Sequence, residues 1–377
     1  MAGIYIHIPF CSQACHYCNF HFSTSLNNKG AFLEALNKEI SLRSTYLNGQ
    51  SVSTIYFGGG TPSLLSANEI DRIVHEISKF HAMDSKAEIT LEANPEDLNK
   101  KGYLSDLKNS MVNRLSVGVQ SFNNEDLKYM NRVHNGEEAE SALVHCLDAG
   151  FENLSVDLIY GTPSLTDVQW SENIEKLITL GIPHISAYCL TVEPKTVLLD
   201  QIKKGKVKDI DDGQASIHYN IIVDQLANHE FEHYEIASFC KEGFMAAHNS
   251  NYWKGQDYLG LGPSAHSYNQ HFRAWNISNN NEYITKINAG DLPLTEEELS
   301  DADKYNDYVM LSLRTIWGLS IDHVYDNFGD VITDHCKKEL TIQMEFGRIN
   351  LSGKVYTLSK QGKLFADRIA SDLFIVE

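Results

Sequence analysis

The first half of the chain alternates short, apolar, β-branched runs with longer segments of helical periodicity. The runs are Ile4–Ile8, Thr54–Phe57, Glu88–Glu92, Arg114–Val119, Leu154–Ile159 and His184–Leu190. The helical segments between them are clearest at Ala31–Leu47, Ala67–Phe80, Glu137–Ala149 and Asp167–Leu180. This alternation is typical of an α/β fold with a parallel sheet. Six units predict a partial, open TIM-like (βα)6 barrel.

Chemically informative residues follow these strands. In barrels of this kind, the functional groups lie at the carboxyl ends of the strands. Here the strands run into Cys11–Cys18, Gly58–Pro62, Glu92–Pro95, Gln120–Phe122 and Asp157–Gly161. Thiol, glycine, carboxylate and amide groups are therefore predicted to converge at one mouth of the barrel.

The pattern changes after about residue 195. We assign residues 1–200 to the barrel, 201–294 to an extension of it, and 295–377 to a smaller C-terminal domain that is mostly helical and winged-helix-like. The predicted elements beyond the barrel are a basic turn at Lys203–Lys208, a helix at Gln214–Asn228, a strand at Glu232–Phe239, a helical region from Thr295 with an acidic start at Glu296–Glu298, a hairpin around Ser352–Lys354 and a last helix at Lys360–Leu373.

Composition excludes some functions. The 377 residues include 31 Lys and Arg against 50 Asp and Glu, which gives a net charge of −19. Nonspecific affinity for nucleic acid comes from clustered cations, so nucleic acid is not an expected partner. The N-terminal apolar run has no basic region and meets Pro9 too early for a secretion signal, and no stretch is long enough to span a bilayer. We therefore expect a cytoplasmic protein with no transmembrane segment.

The seven cysteines are unevenly spread. Cys146, Cys189, Cys240 and Cys336 stand alone among apolar neighbours, which predicts ordinary buried thiols. The other three are Cys11, Cys15 and Cys18. Three soft thiolates on one tight loop suit an iron–sulfur centre, and a [4Fe–4S] cluster with only three protein ligands keeps one iron open. The alternative is a structural zinc site completed by His16 or His21.

With these residues in view, the chain resembles the radical S-adenosylmethionine (SAM) superfamily, in which a CxxxCxxC motif follows the first barrel strand. The resemblance covers the whole barrel half. It implies that the SAM amine and carboxylate chelate the open iron, and that the reduced cluster cleaves SAM to a 5′-deoxyadenosyl radical. The segment from Gly58 to Pro62 resembles the glycine-rich element that contacts the SAM amino group.

A nearer resemblance is to the oxygen-independent coproporphyrinogen III oxidase group. It is carried by the blocks Tyr5–Phe10, Gly118–Phe122 and Asp157–Gly161. It implies that Tyr5 lies beside the cluster. The SAM contacts that it implies are Gly58, Gly59, Thr61, Glu92, Gln120, Arg132 and Asp157. The alternative for the two acids is an ion pair with Arg132 at the barrel mouth.

Two features depart from the decarboxylating oxidases. Those enzymes carry a further cysteine where this chain has Phe20, and this sequence starts at the first strand without the N-terminal extension expected of them. Both features fit the related HemW-type heme chaperone branch. That branch has an HNxxYW motif, which His248–Trp253 satisfies, and the segment Leu259–His266 also resembles it.

The resemblance implies that heme binds at this motif, with His248 as axial ligand and with Tyr252 and Trp253 against the porphyrin. Imidazole is a common heme ligand, and aromatic rings offer a flat apolar surface. Glycines 260 and 262 are expected to let a strand pass close to such a flat ligand. Lys254 and Arg273 are the nearest candidates to meet the propionates. The alternative is that His248 only holds a loop beside the barrel, with Trp253 in the core.

Three functions follow from these observations. The first is a heme chaperone that binds heme and a SAM-ligated [4Fe–4S] cluster and delivers heme to an acceptor protein; an electron donor such as flavodoxin or ferredoxin is implied. The second is an oxygen-independent coproporphyrinogen III oxidase, which performs an oxidative decarboxylation in heme biosynthesis. The third is an interaction module whose cluster is structural and which binds no SAM.

Overall fold

The computed structural model describes residues 1–376. Its strands are β1 (Ala2–Ile8), β2 (Val52–Gly59), β3 (Met83–Ala93), β4 (Arg114–Gln120), β5 (Leu154–Tyr160), β6 (His184–Cys189), β7 (Glu232–Glu235), β8 (Ser238–Cys240), β9 (Tyr258–Leu261), β10 (His266–Tyr268), β11 (Phe272–Asn276), β12 (Leu294–Glu298), β13 (Leu319–Ser320), β14 (Ile349–Ser352) and β15 (Val355–Leu358).

A short 3-10 turn, Pro62–Leu64, follows β2. The α-helices are α1 (Lys29–Leu42), α2 (Ala67–Phe80), α3 (Pro95–Leu98), α4 (Tyr103–Lys108), α5 (Asn124–Met130), α6 (Gly136–Asp148), α7 (Asp167–Thr179), α8 (Val197–Lys203), α9 (Asp212–Asn228), α10 (Ala247–Trp253), α11 (Asn280–Ala289), α12 (Asp301–Leu313), α13 (Ile321–Glu345), α14 (Lys360–Lys363) and α15 (Ala366–Leu373).

Twelve strands form one sheet in the order β12-β11-β10-β9-β1-β2-β3-β4-β5-β6-β8-β7. Strands β1 to β6 are neighbours in sequence order, and each pair is parallel. Helical segments connect each of these strands to the next, so the strands run in the same direction and their carboxyl ends lie on one side of the sheet. The partial (βα)6 barrel that the sequence predicts is confirmed, and its predicted strands differ from the observed ones only at their ends.

Local sequence signals set the helix starts. Ser66 and Glu69 form a reciprocal capping box at the start of α2. Asn135 and Glu138 form a capping box at the start of α6, and Thr166 and Gln169 form one at the start of α7. In each box two backbone N–H groups that the helix leaves unpaired find acceptors, which is worth about 1 kcal/mol per cap.

Strand pairing beyond the barrel departs from the sequence-based expectations. The predicted strand Glu232–Phe239 is instead two antiparallel strands, β7 and β8, joined by a tight turn. The acidic segment Glu296–Glu298 was expected to begin a helix, but it belongs to β12, which pairs antiparallel with β11. The boundary drawn at 294/295 therefore falls inside a strand of the main sheet. Charged side chains on this outermost strand discourage pairing with other chains.

The C-terminal region has a hydrophobic core of its own. Helices α12, α13 and α15 pack around Tyr305, Val309 and Leu340, next to the small sheet β13-β15-β14. The predicted hairpin is confirmed, since β14 and β15 pair antiparallel around Gly353. The predicted last helix is divided into α14 and α15. No helix within residues 1–376 is both long and apolar enough to cross a membrane.

Candidate functional site

A cavity of about 600 Å³ opens at the carboxyl ends of the barrel strands. It brings together most of the residues that the sequence predicts for the cluster and for SAM. Those residues are Cys11, Cys15, Cys18, Gly59, Thr61, Glu92, Gln120, Arg132 and Asp157. Tyr5, Gly58, His248, Tyr252 and Trp253 do not line this cavity.

Backbone hydrogen bonds fix the cysteine loop to the barrel. The Cys11 N–H donates to the Ser23 carbonyl at 3.0 Å, and the His16 N–H donates to the Met130 carbonyl at 3.0 Å. Burial raises the pKa of the Cys11 thiol to about 11, while a hydrogen bond with Thr61 lowers it in part. The three thiols therefore face the cavity from a loop that is anchored at several points.

The zinc alternative finds no support in this geometry. Within residues 1–376, no three His, Cys, Asp or Glu side chains surround a position for a single metal ion. The two histidines are engaged elsewhere: His16 Nδ1 with the Tyr129 carbonyl at 3.2 Å, and His21 Nε2 with Asn280 Oδ1 at 2.7 Å. In a [4Fe–4S] cluster each cysteine binds a different iron, so the thiolates need not converge on one point.

Glycines 59 and 60 are required where β2 ends against β1. Gly59 has φ of +106°, and a Cβ there would lie 2.5 Å from the His7 ring. A Cβ on Gly60 would lie 2.6 Å from the Phe10 carbonyl oxygen. Side chains at these positions would collide with β1 and with the loop that carries the cysteines. The glycine segment thus lets the cavity wall and the cysteine loop lie in contact.

Two carboxylates enter the cavity, and neither forms a salt bridge with any of residues 1–376. Glu92 accepts a hydrogen bond from the Tyr56 hydroxyl at 2.8 Å, and burial raises the pKa of Glu92 to about 7. Asp157 is approached by the Ser116 hydroxyl at 3.3 Å, and burial raises its pKa to about 6. Because a buried carboxylate is costly when unpaired, the pair suits a ligand that supplies positive charge and hydroxyl groups.

Arg132 does not form the ion pair that was the alternative explanation of these acids. Its Nη2 donates to Asn94 Oδ1 at 2.8 Å and to the Gly118 carbonyl at 2.7 Å, and its Nη1 lies 3.4 Å from Cys15 Sγ. Its Nε is buried without a hydrogen-bond partner among the described residues. A guanidinium held in this way can receive a carboxylate. The donor set fits SAM, which carries a sulfonium, an amine and a carboxylate.

Gln120 is held in a strained conformation at the end of β4. Its φ is +67°, which is left-handed and costs a non-glycine residue about 1–2 kcal/mol. The β4–β5 register shifts between Gly118 and Gln120, so the strand bulges at the cavity. Local strain of this kind concentrates at functional sites.

His248 lies below the cavity, inside the barrel. It is 2% exposed, and its Nδ1 shares a 2.8 Å hydrogen bond with Thr54 on β2. Its ring stacks on Tyr56, which in turn stacks on Tyr5. Tyr5 is hydrogen-bonded to His7 Nδ1 at 3.2 Å. These aromatic rings form the floor beneath Glu92 and Asp157, so Tyr5 lies under the cavity and not in its wall.

Helix α10, which contains the HNxxYW motif, closes the amino end of the barrel. Glu88 on β3 accepts hydrogen bonds from the Ala247 and His248 N–H groups at 3.1 and 3.0 Å. This carboxylate satisfies the first helical N–H groups and favours the positive end of the helix. The opposite end of α10 carries Trp253, which lines a different cavity, next to the C-terminal region.

Two sequence-based ideas about this segment need correction. Glycines 260 and 262 were expected to let a strand pass close to a flat ligand. Instead, a Cβ on Gly260 would overlap the His266 carbonyl, and one on Gly262 would lie 2.6 Å from the His7 carbonyl. Both glycines thus serve backbone packing within the sheet. Arg273 was a candidate for heme propionates, but it is paired with Asp307 and Glu297.

The sequence did not single out Cys189, Asn94 or Tyr188 for the site. Cys189 was expected to be a buried thiol, but it is exposed and lines the cavity at the end of β6. The signal that could have found these residues is their position just at the carboxyl ends of β3 and β6. Phe20, where the oxidases have a further cysteine, also lines the cavity and is 68% exposed.

The chain is similar to known proteins over nearly its whole length. Residues 5–205 match the sequence model of the radical SAM superfamily. The chain is 32% identical to the heme chaperone HemW of Bacillus subtilis (strain 168), covering 98% of both chains. It is also 32% identical to the heme chaperone HemW of Lactococcus lactis subsp. lactis (strain IL1403), covering 94% of both.

Among solved structures, the chain is similar to coproporphyrinogen III oxidase (HemN) from Escherichia coli, a radical SAM enzyme. The TM-score is 0.84 at 23% sequence identity, and the match covers 99% of this chain and 90% of the other. At this level of identity the likeness shows a shared fold.

Proposed function

Because this chain belongs to the radical SAM superfamily and, within it, to the HemW family, we propose that it is a heme chaperone, which binds heme and passes it to an acceptor protein. The observation that carries the proposal is the 32% identity to a heme chaperone over 98% of both chains. A similarity that includes the C-terminal region extends beyond the barrel that radical SAM proteins share.

The barrel mouth is proposed to hold a [4Fe–4S] cluster on Cys11, Cys15 and Cys18, with SAM on the remaining iron. When bound, these groups supply one-electron chemistry at a sulfonium. The chain's own contribution is positioning. Glu92 and Asp157 offer negative charge to the SAM amine and hydroxyl groups, and Arg132 Nε offers a buried donor to its carboxylate. Reduction of the cluster requires an electron donor such as flavodoxin or ferredoxin.

Heme is proposed to bind at the HNxxYW helix, α10. Trp253 supports this proposal, because it is half-buried at a cavity wall. Tyr252 packs edge-on against His248, with the ring centroids 4.9 Å apart. His248 Nε2, which has no hydrogen-bond partner in the described part of the chain, is the atom that could bind iron, but the ring is enclosed in the barrel. Ligation by His248 therefore requires α10 to withdraw from the barrel floor.

The rival function, oxidative decarboxylation of coproporphyrinogen III, has less support. Its fold likeness is strong, but the sequence identity to the oxidase is only 23%. Phe20 stands where those enzymes have a further cysteine, and its ring cannot serve as a cluster or catalytic thiol. The third reading, a structural cluster without SAM, leaves the two buried acids of the cavity without a role.

A transfer assay tests the chaperone function. The protein is reconstituted anaerobically with iron and sulfide, loaded with one equivalent of heme, and mixed with membranes from heme-depleted cells of its own source. Heme should move into the membrane proteins faster than it does from heme-loaded serum albumin, the control carrier. Equal rates from both carriers, or no stoichiometric heme binding, would contradict the proposal.

A second assay tests the rival. The reconstituted protein is incubated with coproporphyrinogen III, SAM and reductant, and the products are separated chromatographically. We expect no protoporphyrinogen. Its formation over many turnovers would restore the oxidase function.

A further inference from the structure

A second cavity, of about 640 Å³, lies between the end of α10, the β10–β11 turn and the C-terminal helices. This volume is in the usual range for cofactor-sized ligands. Five aromatic side chains line its wall among polar and charged residues. They are Trp253, Tyr268, Tyr308, Trp317 and Phe328. None of them lines the cavity at the barrel mouth, so the two cavities are separate sites on the molecule.

Two imidazoles line this cavity. His271 comes from the β10–β11 turn and His323 from the first turn of α13. Within residues 1–376, neither ring has a hydrogen-bond or salt-bridge partner, unlike most other histidines of the chain. The ring of His323 stacks on Tyr308 with centroids 4.1 Å apart and packs edge-on to Phe328. The partial burial of the His323 ring lowers its pKa, so the ring is neutral at neutral pH, the form that binds metals.

The rim of the cavity carries cations in an otherwise acidic protein. Lys254 Nζ lies 4.3 Å above the Trp317 ring and has no carboxylate within 4 Å in the described part of the chain. Lys304 lies 3.6 Å from Asp301, which is a loose pair. Asp307, the other acid of the wall, is already neutralised by Arg273. The rim can therefore accept negative groups from a ligand.

We propose that heme binds in this cavity, with His323 as the iron ligand, the porphyrin between the aromatic walls, and the propionates toward Lys254 and Lys304. The proposal rests on the proposed function and specifies its site. In this proposal α10 contributes Trp253 to the wall of the heme cavity. His248, at the other end of the helix, is hydrogen-bonded to Thr54 in the floor of the barrel. A large flat apolar ligand with two carboxylates and a metal uses each group of this cavity.

The location also suits transfer. The cavity lies between the barrel and the C-terminal region, and His271 and His323 are exposed. Heme held there is reachable by an acceptor without opening the barrel. His248, by contrast, is 2% exposed and covered by Tyr56 and Tyr252.

The experiment is a hemin titration of the full chain, read by the Soret band and by EPR of the ferric iron. His323→Ala should weaken hemin binding at least tenfold and shift the Soret maximum, and Lys254→Glu should weaken binding several-fold without shifting it. His145→Ala, at an exposed position on α6, should keep both the Soret position and the affinity of the wild type. His248→Ala is titrated beside it to test the alternative iron ligand. Protoporphyrin IX without iron should bind the wild type and His323→Ala with equal affinity.

The outcomes separate this inference from the proposed function. Absence of stoichiometric hemin binding by the wild type would overturn both. Binding by the wild type that is unchanged in His323→Ala and in Lys254→Glu would overturn the cavity alone. A Soret band lost in His248→Ala and kept in His323→Ala would place the iron on the barrel histidine instead. Because His323 and Lys254 are exposed, their substitution should leave the thermal melt near that of the wild type.

Discussion

The imidazole of His248 lies nearly flat against the ring of Tyr56, with centroids 5.0 Å apart and planes inclined by 23°. The hydroxyl of the same tyrosine donates to Glu92 at 2.8 Å. One side chain therefore contacts both the helix that carries the HNxxYW motif and an acid of the proposed SAM site. The floor of the barrel is a shared boundary between the two regions.

Tyr56→Phe should weaken SAM binding while leaving the fold intact. The substitution keeps the ring that packs on His248 and removes the hydrogen bond that favours the ionised form of Glu92. A hydrogen bond to a charged group is worth about 1.5–3 kcal/mol, so SAM affinity should fall about tenfold or more. The measurement is SAM titration of the reconstituted protein, followed through the EPR signal of the reduced cluster.

Tyr103→Phe is the matched control for this prediction. Its hydroxyl donates to the Leu65 carbonyl at 3.0 Å, and its side chain does not line the cavity at the barrel mouth. Its SAM affinity should equal that of the wild type. Equal losses in the two variants would mean that Tyr56 has no particular role.

Glu92→Gln should stabilise the SAM-free protein at alkaline pH. The pKa of Glu92 is raised by burial from 4.5 to about 7 in the folded state. The folded state therefore binds the proton more tightly, and stability is lost as pH rises from 4.5 through 7. Removing the charge should recover up to about 3 kcal/mol at pH 8 and nothing at pH 4.5. Urea unfolding at several pH values measures the difference, and SAM affinity should fall in the same variant.

Glu96→Gln supplies a control of opposite sign. Its carboxylate lies 3.3 Å from His134 Nδ1, and that hydrogen bond holds the pKa of Glu96 below its usual value. Its ionised form stabilises the folded state above the unfolded pKa, so the substitution should destabilise the protein at pH 8. A shift of the same sign in both variants would refute the assignment for Glu92.

Cys11→Ala should abolish the cluster, and Cys189→Ala should retain it. Both thiols line the same cavity, but only Cys11 belongs to the three-cysteine loop. Loss of one of three ligands leaves two irons without protein donors. Iron and sulfide analysis after anaerobic reconstitution gives the answer. Stoichiometric zinc without sulfide in the wild type would favour the zinc alternative, and cluster loss in Cys189→Ala would make that thiol a ligand.

His248→Asn should reduce the loss of stability at acidic pH. Burial lowers the pKa of His248 to about 3, whereas an unfolded histidine titrates near 6.5. As pH falls below 6.5 the unfolded state gains a proton that the folded state rejects, and stability decreases by about 1.4 kcal/mol per pH unit from this residue. The variant should show a shallower slope between pH 6 and 4.

The absolute stability of His248→Asn will also change, so the slope is the informative quantity. His145→Asn is the control, because His145 is exposed on α6. It should leave the slope of the wild type unaltered. Parallel curves for His248→Asn and the wild type would show that the histidine is not buried in its neutral form.

The amino-acid sequence was enough to predict the barrel and most of the residues that line the cavity at its mouth. Strand periodicity and helix capping are local, so six strands and their helices could be predicted from neighbouring residues. Parallel strands bring their carboxyl ends to one side, and this geometric rule alone places Cys11, Glu92 and Asp157 together. The cysteine spacing added the chemistry, because three thiolates on one loop act as a unit wherever the loop lies.

Features that depend on residues distant in sequence became visible only in the folded structure. Glu296–Glu298 forms a strand because β11 offers a free edge, which no local pattern indicates. Arg132 contacts Asn94 and Cys15, and not the acids with which its charge could have paired. The two ends of α10 likewise have different surroundings. His248 is enclosed by Thr54 and Tyr56, whereas Trp253 faces a cavity that the C-terminal helices also line. The burial and the hydrogen bonds of a side chain depend on which distant residues the folded chain places next to it. The six consecutive residues of the HNxxYW motif do not contain that information.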